Sequence, residues 1–213
     1  MGIYCCALGE AYEKERILDE TDNFFTIASL GPMGIPGYVL VVSKDHSIGT
    51  GDIDAADRKE LAEMIVKAKS VVSGVFGSTM VFEHGPRVCD TRGGSCLDHA
   101  HIHIVPSKSV MDALAVDLFK KLEYNGQFYR VDRLESMVSL ERTAEIYHAK
   151  KTSHLYVESP DGLQILTEVN FHLPSQYMRR IIAYTQKIPH WNWRSHPDNE
   201  TVLRTVDALM GKF

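Results

Sequence analysis

The segment Asp98-His99-Ala100-His101-Ile102-His103-Ile104-Val105-Pro106 places three of the chain's 10 histidines at alternate positions. Imidazole changes charge near neutral pH, so such a row can supply proton donors, proton acceptors, a nucleophile or metal ligands. In a strand, side chains alternate between faces. His99, His101 and His103 then share one face, with about 6.6 Å (two strand rises) between neighbours. Ala100, Ile102 and Ile104 face the other way, into a core. The pattern is an apolar back with an imidazole front.

Two chemistries suit that front. Neutral imidazoles bind zinc and other transition metals. A twisting strand turns an i, i+2, i+4 row apart, however, so two of the three would share an ion and a further ligand must come from elsewhere. The adjacent Cys5-Cys6 lacks the two-residue spacing of a zinc knuckle and supplies it poorly. The second chemistry is phosphoryl or nucleotidyl transfer. One histidine attacks phosphorus while its neighbours protonate a leaving oxygen and hold charged ones. Arg92-Gly93-Gly94-Ser95-Cys96 runs directly into the row. A glycine-rich turn aims backbone N–H groups and a hydroxyl at an anion. That cradle favours phosphate chemistry over metal binding. The plain alternative is three surface histidines on a half-buried strand.

The row needs elements to hold it. Residues 24–30 and 38–43 read as strands joined by Gly31-Pro32-Met33-Gly34-Ile35-Pro36-Gly37, a strong turn signal. Asp54 reads as the cap of a helix whose Leu61, Met64, Ile65, Ala68 and Val72 lie on one 3.6-residue stripe, with Gly74 and Gly77 ending it. Residues 79–83 form a third strand and 99–105 the fourth, stopped by Pro106. Beyond residue 109 the pattern changes. Helices are expected over 110–123, 174–187 and 198–211, and strands over 153–158 and 163–169 around Pro160-Asp161-Gly162. The expectation is an α+β core domain of residues 1–108, an antiparallel sheet with a long amphipathic helix, and a mixed α/β extension of residues 109–213 packed on it.

Residues 99–105 match the His-x-His-x-His motif of the histidine triad (HIT) superfamily, with its two trailing apolar residues, and residues 4–106 resemble that family in order. The strand ending Val41-Val42-Ser43-Lys44-Asp45-His46 is similar to the family's strand ending in Lys-x-His. The C-terminal half, notably Leu173-Pro174-Ser175-Gln176-Tyr177 and Trp191-Asn192-Trp193-Arg194, resembles the extension of bacterial HIT-like proteins, some labelled diadenosine polyphosphate hydrolases or phosphorylases. The resemblance implies that His101 is the nucleophile toward an α-phosphorus, that His99 orients it partly through its carbonyl, and that His103 contacts phosphate and leaving group. It implies substrate contacts from Gly94, Ser95, Cys96 and Glu83. Two departures stand out. Cys96 occupies the place of a serine, and a thiol is a weak donor. Tyr38 occupies the place of a fourth histidine. The family's structural zinc site is contracted to Cys5-Cys6, so no metal is expected there. The resemblance implies that the covalent step requires no cofactor and leaves room for Mg²⁺ to accompany a polyphosphate substrate. A small-molecule nucleotide is the expected partner, and the family's habit implies a homodimer.

Other residues carry weaker signals. His84 sits beside Glu83 near the row; Lys44 and His46 lie at a strand end. Arg179-Arg180 suits a polyphosphate tail, or more simply a solvated helix face. Ser175 and Gln176 begin that helix as caps or an anion site. Trp191 and Trp193 suit base stacking or docking of the tail. His148, His154, His172, His190 and His196 show no partner spacing and read as structural.

Composition sets bounds. An apolar fraction of 44% and a charged fraction of 24% describe a globular chain, not a disordered or collagen-like one. The formal net charge of −5 offers no broad cationic face for nucleic acid. No apolar run reaches the length of a membrane span, and the first residues lack the pattern of a secretory signal. Met1-Gly2 is a poor acylation match, because Cys6 stands where Ser or Thr is wanted. Cys5, Cys6, Cys89 and Cys96 read as free thiols in a reducing cytoplasm. Two rivals to a nucleotide hydrolase or transferase follow: a nucleotide-binding protein with little or no turnover, favoured by Cys96 and Tyr38, and a metal-dependent enzyme using the histidine row as ligands.

Overall fold

A computed structural model describes residues 14–88, 99–114, 128–131, 136–169 and 173–213. Its strands are β1 (Ile17–Glu20), β2 (Phe24–Ala28), β3 (Val39–Ser43), β4 (Thr79–Gly85), β5 (His101–Pro106), β6 (Phe128–Val131), β7 (Ser153–Glu158) and β8 (Gln164–Val169). They form one eight-stranded sheet in the order β1-β2-β3-β5-β4-β7-β8-β6. Each pairing is antiparallel. The helices are α1 (Arg58–Phe76), α2 (Ser136–Glu145), α3 (Tyr177–Gln186) and α4 (Asn199–Leu209). The α+β architecture expected from the sequence is what the chain adopts. The residues after 109 carry the core sheet onward, because β7 pairs with β4 along Val81↔Glu158 to Gly85↔His154.

The β2–β3 hairpin forms where its turn residues predict. Met33, Gly34 and Gly37 take positive φ there. Gly37 is needed twice over: its φ is 85°, and a Cβ would come within 2.3 Å of the Phe76 ring. Helix α1 buries the predicted stripe of Leu61, Met64, Ile65, Ala68 and Val72. It ends at Gly77, φ 85°. It starts at Arg58 rather than at a cap on Asp54, which leads into the preceding turn. Asp57 takes the cap position without a side-chain cap bond. Its carboxylate instead accepts from Asn23 Nδ2 at 3.2 Å, tying the helix start to the β1–β2 turn.

Two cores lie on the two faces of the sheet. Val39, Val41, Val81, Ile102 and Ile104 pack with the α1 stripe. Tyr38, Met80, Phe82, Val105, Leu155 and Val157 pack with Tyr177, Met178 and Ile182 of α3. Each such side chain contributes roughly 1.5–3 kcal/mol on full burial. The second core is therefore the C-terminal half's hold on the first. Edge strands β1 and β6 and helix α2 were not expected; β1 and β6 are short and mix charge with apolar residues, as edge strands do. Of the helix expected over 110–123, residues 115–123 lie outside the described residues.

Candidate active site

β5 starts at His101, two residues later than expected. The pairing with β3 nonetheless extends one step further, since Ser43 N–H donates to the Ala100 carbonyl at 2.9 Å. In register, His101 pairs with Val42 and His103 with Leu40. On the other side His103 pairs with Phe82 of β4. His101, His103, Phe82 and His84 therefore share the face that α3 covers, while Ile102 and Ile104 point to α1.

The rings of this face are tightly fixed. His101 and His103 meet edge-on with centroids 4.9 Å apart. His103 stacks on Phe82 at 4.3 Å and 10°. His101 Nδ1–H donates to the His99 carbonyl at 3.0 Å. A carbonyl only accepts, so the proton of the neutral ring sits on Nδ1 and Nε2 carries the electron pair. His99 Nδ1–H donates in turn to the Ser43 carbonyl at 2.9 Å, and its ring lies 4.7 Å from that of His46. His99 thus acts on His101 through its backbone, from just ahead of the strand. His103 Nδ1 is 2.7 Å from the Tyr38 hydroxyl.

His84 is the member of this group that the sequence left undecided. Its Nε2 accepts from the Met178 backbone N–H at 3.3 Å. Burial, reinforced by the repulsion a proton would meet from His101 and His154 were they protonated and opposed by Glu83, pushes its pKa down to about 3. Burial likewise lowers His101, against the pull of the His99 carbonyl, and holds His103 well below the ordinary value. All three rings are neutral at neutral pH. The row is also enclosed: His99, His101 and His103 expose only 2%, 8% and 9% of their surface.

Glu83 stands apart from them. Alternation along β4 turns it to the opposite face, where Thr50 N–H donates to Oε1 at 2.6 Å and His154 Nε2 lies 2.8 Å from Oε2. Thr50 Oγ1 also donates to this carboxylate. Burial raises its pKa, but His154 and the Thr50 bonds outweigh that and hold it below the usual carboxylate range. The structure does not bring Glu83 to the histidine face. Gly94, Ser95, Cys96, Cys5, Cys6, Cys89 and His172 lie outside the described residues.

The weaker candidates resolve as follows. Lys44 is committed to Glu20 at 2.7 Å and to the Phe25 ring at 4.5 Å. His46 lines a cleft of about 280 Å³ with Ser43, Asp45, Asp52, Asp54 and Asp57. Those carboxylates repel phosphate. Arg179 is neither on a solvated face nor turned to a tail: it is 5% exposed and donates to the Gly31 and Trp191 carbonyls at 2.6 and 3.0 Å. Arg180 lies 3.9 Å over the Trp191 ring. Gly31 has no room for a Cβ against Trp193, at 2.0 Å, so Trp193 docks the tail on the β2–β3 turn while Trp191 packs on the second core. Gln176, with φ 58°, precedes α3 as its cap residue but makes no side-chain cap bond. His154 has a structural partner in Glu83, and His190 stacks on His196 at 4.0 Å. Among the described residues no three of His, Cys, Asp and Glu converge as metal ligands do. None of their helices is long and apolar enough to cross a membrane.

No family model matches the chain. No curated protein is found similar to it. Among solved structures, it is similar to a crystal structure of a Hit-like protein involved in cell-cycle regulation from Bartonella henselae, determined with an unknown ligand. Identity is 22% over 42% of this chain and 67% of that chain, with a TM-score of 0.38.

Proposed function

We propose that this chain is a histidine triad-type nucleotide hydrolase or nucleotidyltransferase acting at an α-phosphate, with dinucleoside polyphosphates as the leading substrate class. One observation carries the reading: His101 is a neutral, buried imidazole whose Nδ1–H is held by the His99 carbonyl at 3.0 Å, so its Nε2 electron pair is the reactive end. In the reaction, that pair forms a bond to the α-phosphorus. The phosphorus–oxygen bond to the polyphosphate breaks, and the leaving oxygen keeps its electrons. Water then attacks the nucleotidyl-histidine; the phosphorus–nitrogen bond breaks, the pair returns to Nε2, and a proton is released. Phosphate in place of water makes the enzyme a phosphorylase. His103 holds the charged oxygens. Gly94, Ser95 and Cys96, which precede the row in the sequence, are assigned to phosphate binding in this reading. Mg²⁺ rides on the polyphosphate rather than on the histidines.

A second reading, a nucleotide-binding protein with little or no turnover, is favoured by one specific feature. Both rings of β5 are nine-tenths buried under the face that α3 covers, with the Met178 N–H already on His84. A substrate must open that face to reach Nε2.

Product analysis by chromatography and mass spectrometry separates the readings. Wild type and His101→Ala are each given diadenosine polyphosphates, nucleotide sugars and an adenosine phosphoramidate, with and without phosphate. AMP from wild type alone supports hydrolysis through His101. ADP formed from a diadenosine polyphosphate only when phosphate is added supports a phosphorylase. Full activity in His101→Ala overturns the triad chemistry. Nucleotide binding with no turnover of any substrate selects the second reading.

A further inference from the structure

The two rings of β5 meet different kinds of partner. His101 Nδ1 faces a carbonyl, which dictates where its proton lies. His103 Nδ1 faces the Tyr38 hydroxyl at 2.7 Å, which either donates or accepts. What breaks the tie comes from the C-terminal half. Arg179 Nη1 approaches the same Tyr38 oxygen at 3.4 Å, and its guanidinium lies 5.6 Å from the Tyr38 ring. Its other nitrogens are anchored on the Gly31 and Trp191 carbonyls. Guanidinium only donates, so it faces the oxygen's electron pairs and turns the hydroxyl proton away from itself. Tyr38 is 0% exposed, so no solvent accepts that proton, and His103 Nδ1 is the acceptor beside it. The stack on Phe82 fixes the plane of the ring, and the 2.7 Å bond holds Nδ1 at the hydroxyl.

We infer that Arg179 is a positioning residue for the triad: through Tyr38 it fixes the His103 tautomer with the proton on Nε2, so that an N–H donor stands beside the Nε2 electron pair of His101. Adjacent rings 4.9 Å apart thereby present opposite functions. One attacks phosphorus while the other donates to a phosphoryl oxygen, with no protonated imidazole required. The catalytic use of this pair rests on the triad reading of the function; the tautomer itself does not. Tyr38, a departure from the family's histidine, works here because the extension supplies a cation to orient it.

The test reads the tautomer directly. Protein labelled with ¹⁵N-histidine is observed by long-range ¹H–¹⁵N correlation at neutral pH, with His103 assigned by its loss in His103→Gln. The expected wild-type pattern is a pyridine-like Nδ1 and a pyrrole-like Nε2. Arg179→Met should give averaged tautomer shifts and lower kcat by about 100-fold with KM changed less than about threefold, while Arg179→Lys restores most of both. Since Arg179→Met also loosens the tail, Tyr38→Phe serves as the second variant: it keeps the Gly31 and Trp191 anchors and should show the same tautomer change. A wild-type Nδ1 that is protonated overturns the inference, as does an unchanged tautomer in both variants. A correct tautomer in a protein that turns over no nucleotide leaves the relay standing and refutes the function.

Discussion

Two buried histidine environments sit back to back across β4, and they are built on opposite rules. On the α3 face, the direct hydrogen-bond partners of His84, His101 and His103 are neutral: a backbone N–H, a carbonyl and a phenol, with the Arg179 guanidinium one step beyond the phenol. On the α1 face, His154 is buried against an ionised carboxylate, that of Glu83, which Thr50 also holds. Burial with neutral partners strips an imidazole of its proton and leaves an electron pair to use. Burial against a charge makes a closed pair whose value is structural, because separating it strands a charge. Even the approach is built in: a Cβ on Gly85 would overlap the His154 ring at 1.9 Å. The face proposed to be reactive and the locked face are one residue apart in the chain.

The largest effect that would break this comparison is chemical. His101→Ala should lower turnover of the best nucleotide by at least about 1,000-fold, since a nucleophile has no substitute. Its nucleotide affinity, measured by calorimetry, should stay within about tenfold of wild type. Retained turnover would erase the distinction between the faces. Next in size is the locked pair. Glu83→Gln should destabilise the fold by about 3 kcal/mol, by analogy with broken buried pairs, as read from urea unfolding. The rate per folded molecule should change less than about threefold. If the rate collapses while the fold holds, Glu83 belongs to the reactive site after all.

Acid separates the faces more finely. The folded pKa of His84 is pushed from 6.5 down to about 3, so between those values the unfolded chain holds a proton that the folded one does not. Stability is therefore full above pH 6.5 and falls as pH drops below it, by about 1.4 kcal/mol per pH unit for this ring alone. His101 and His103 shift in the same direction and steepen the loss. Glu83 is lowered from 4.5, so its contribution is present above that value and is lost as pH falls through its folded pKa. Urea unfolding at stepped pH should thus weaken first below 6.5, and His84→Gln should make that first limb shallower, leaving the His101 and His103 share of it. The smallest effect expected is at the exposed stack. His196→Ala, which removes the 4.0 Å contact with His190, should cost less than about 0.5 kcal/mol and leave turnover unchanged.

Much of the scaffold was readable because its signals are local. The Leu61–Val72 stripe, the Gly/Pro turn and the apolar back of β5 depend only on spacing of a few residues, and they formed as expected. The misreadings share a cause. Asp54 looked like a cap, but the helix start was settled by Asn23 binding Asp57 from another turn. Glu83 and His84 looked equally near the row. Alternation ensures that only one can share its face, and the pairing Phe82↔His103 makes it His84. Arg179 looked solvated because its partners, the Gly31 and Trp191 carbonyls, are backbone atoms that no residue type announces, and Gly31 lies 148 residues away.

The chain by itself determined that three imidazoles would stand at alternate positions on a strand with an apolar back, because the two-residue period is a property of any extended backbone. Tertiary structure decided what those imidazoles can do. The His99 carbonyl that places the proton of His101 is two residues away, but which rings are neutral and which face is closed depend on partners far apart in sequence, among them the Ser43 carbonyl, the Tyr38 hydroxyl and the Met178 N–H. Electrostatics and hydrogen bonding act through space, and only packing brought those groups within their range.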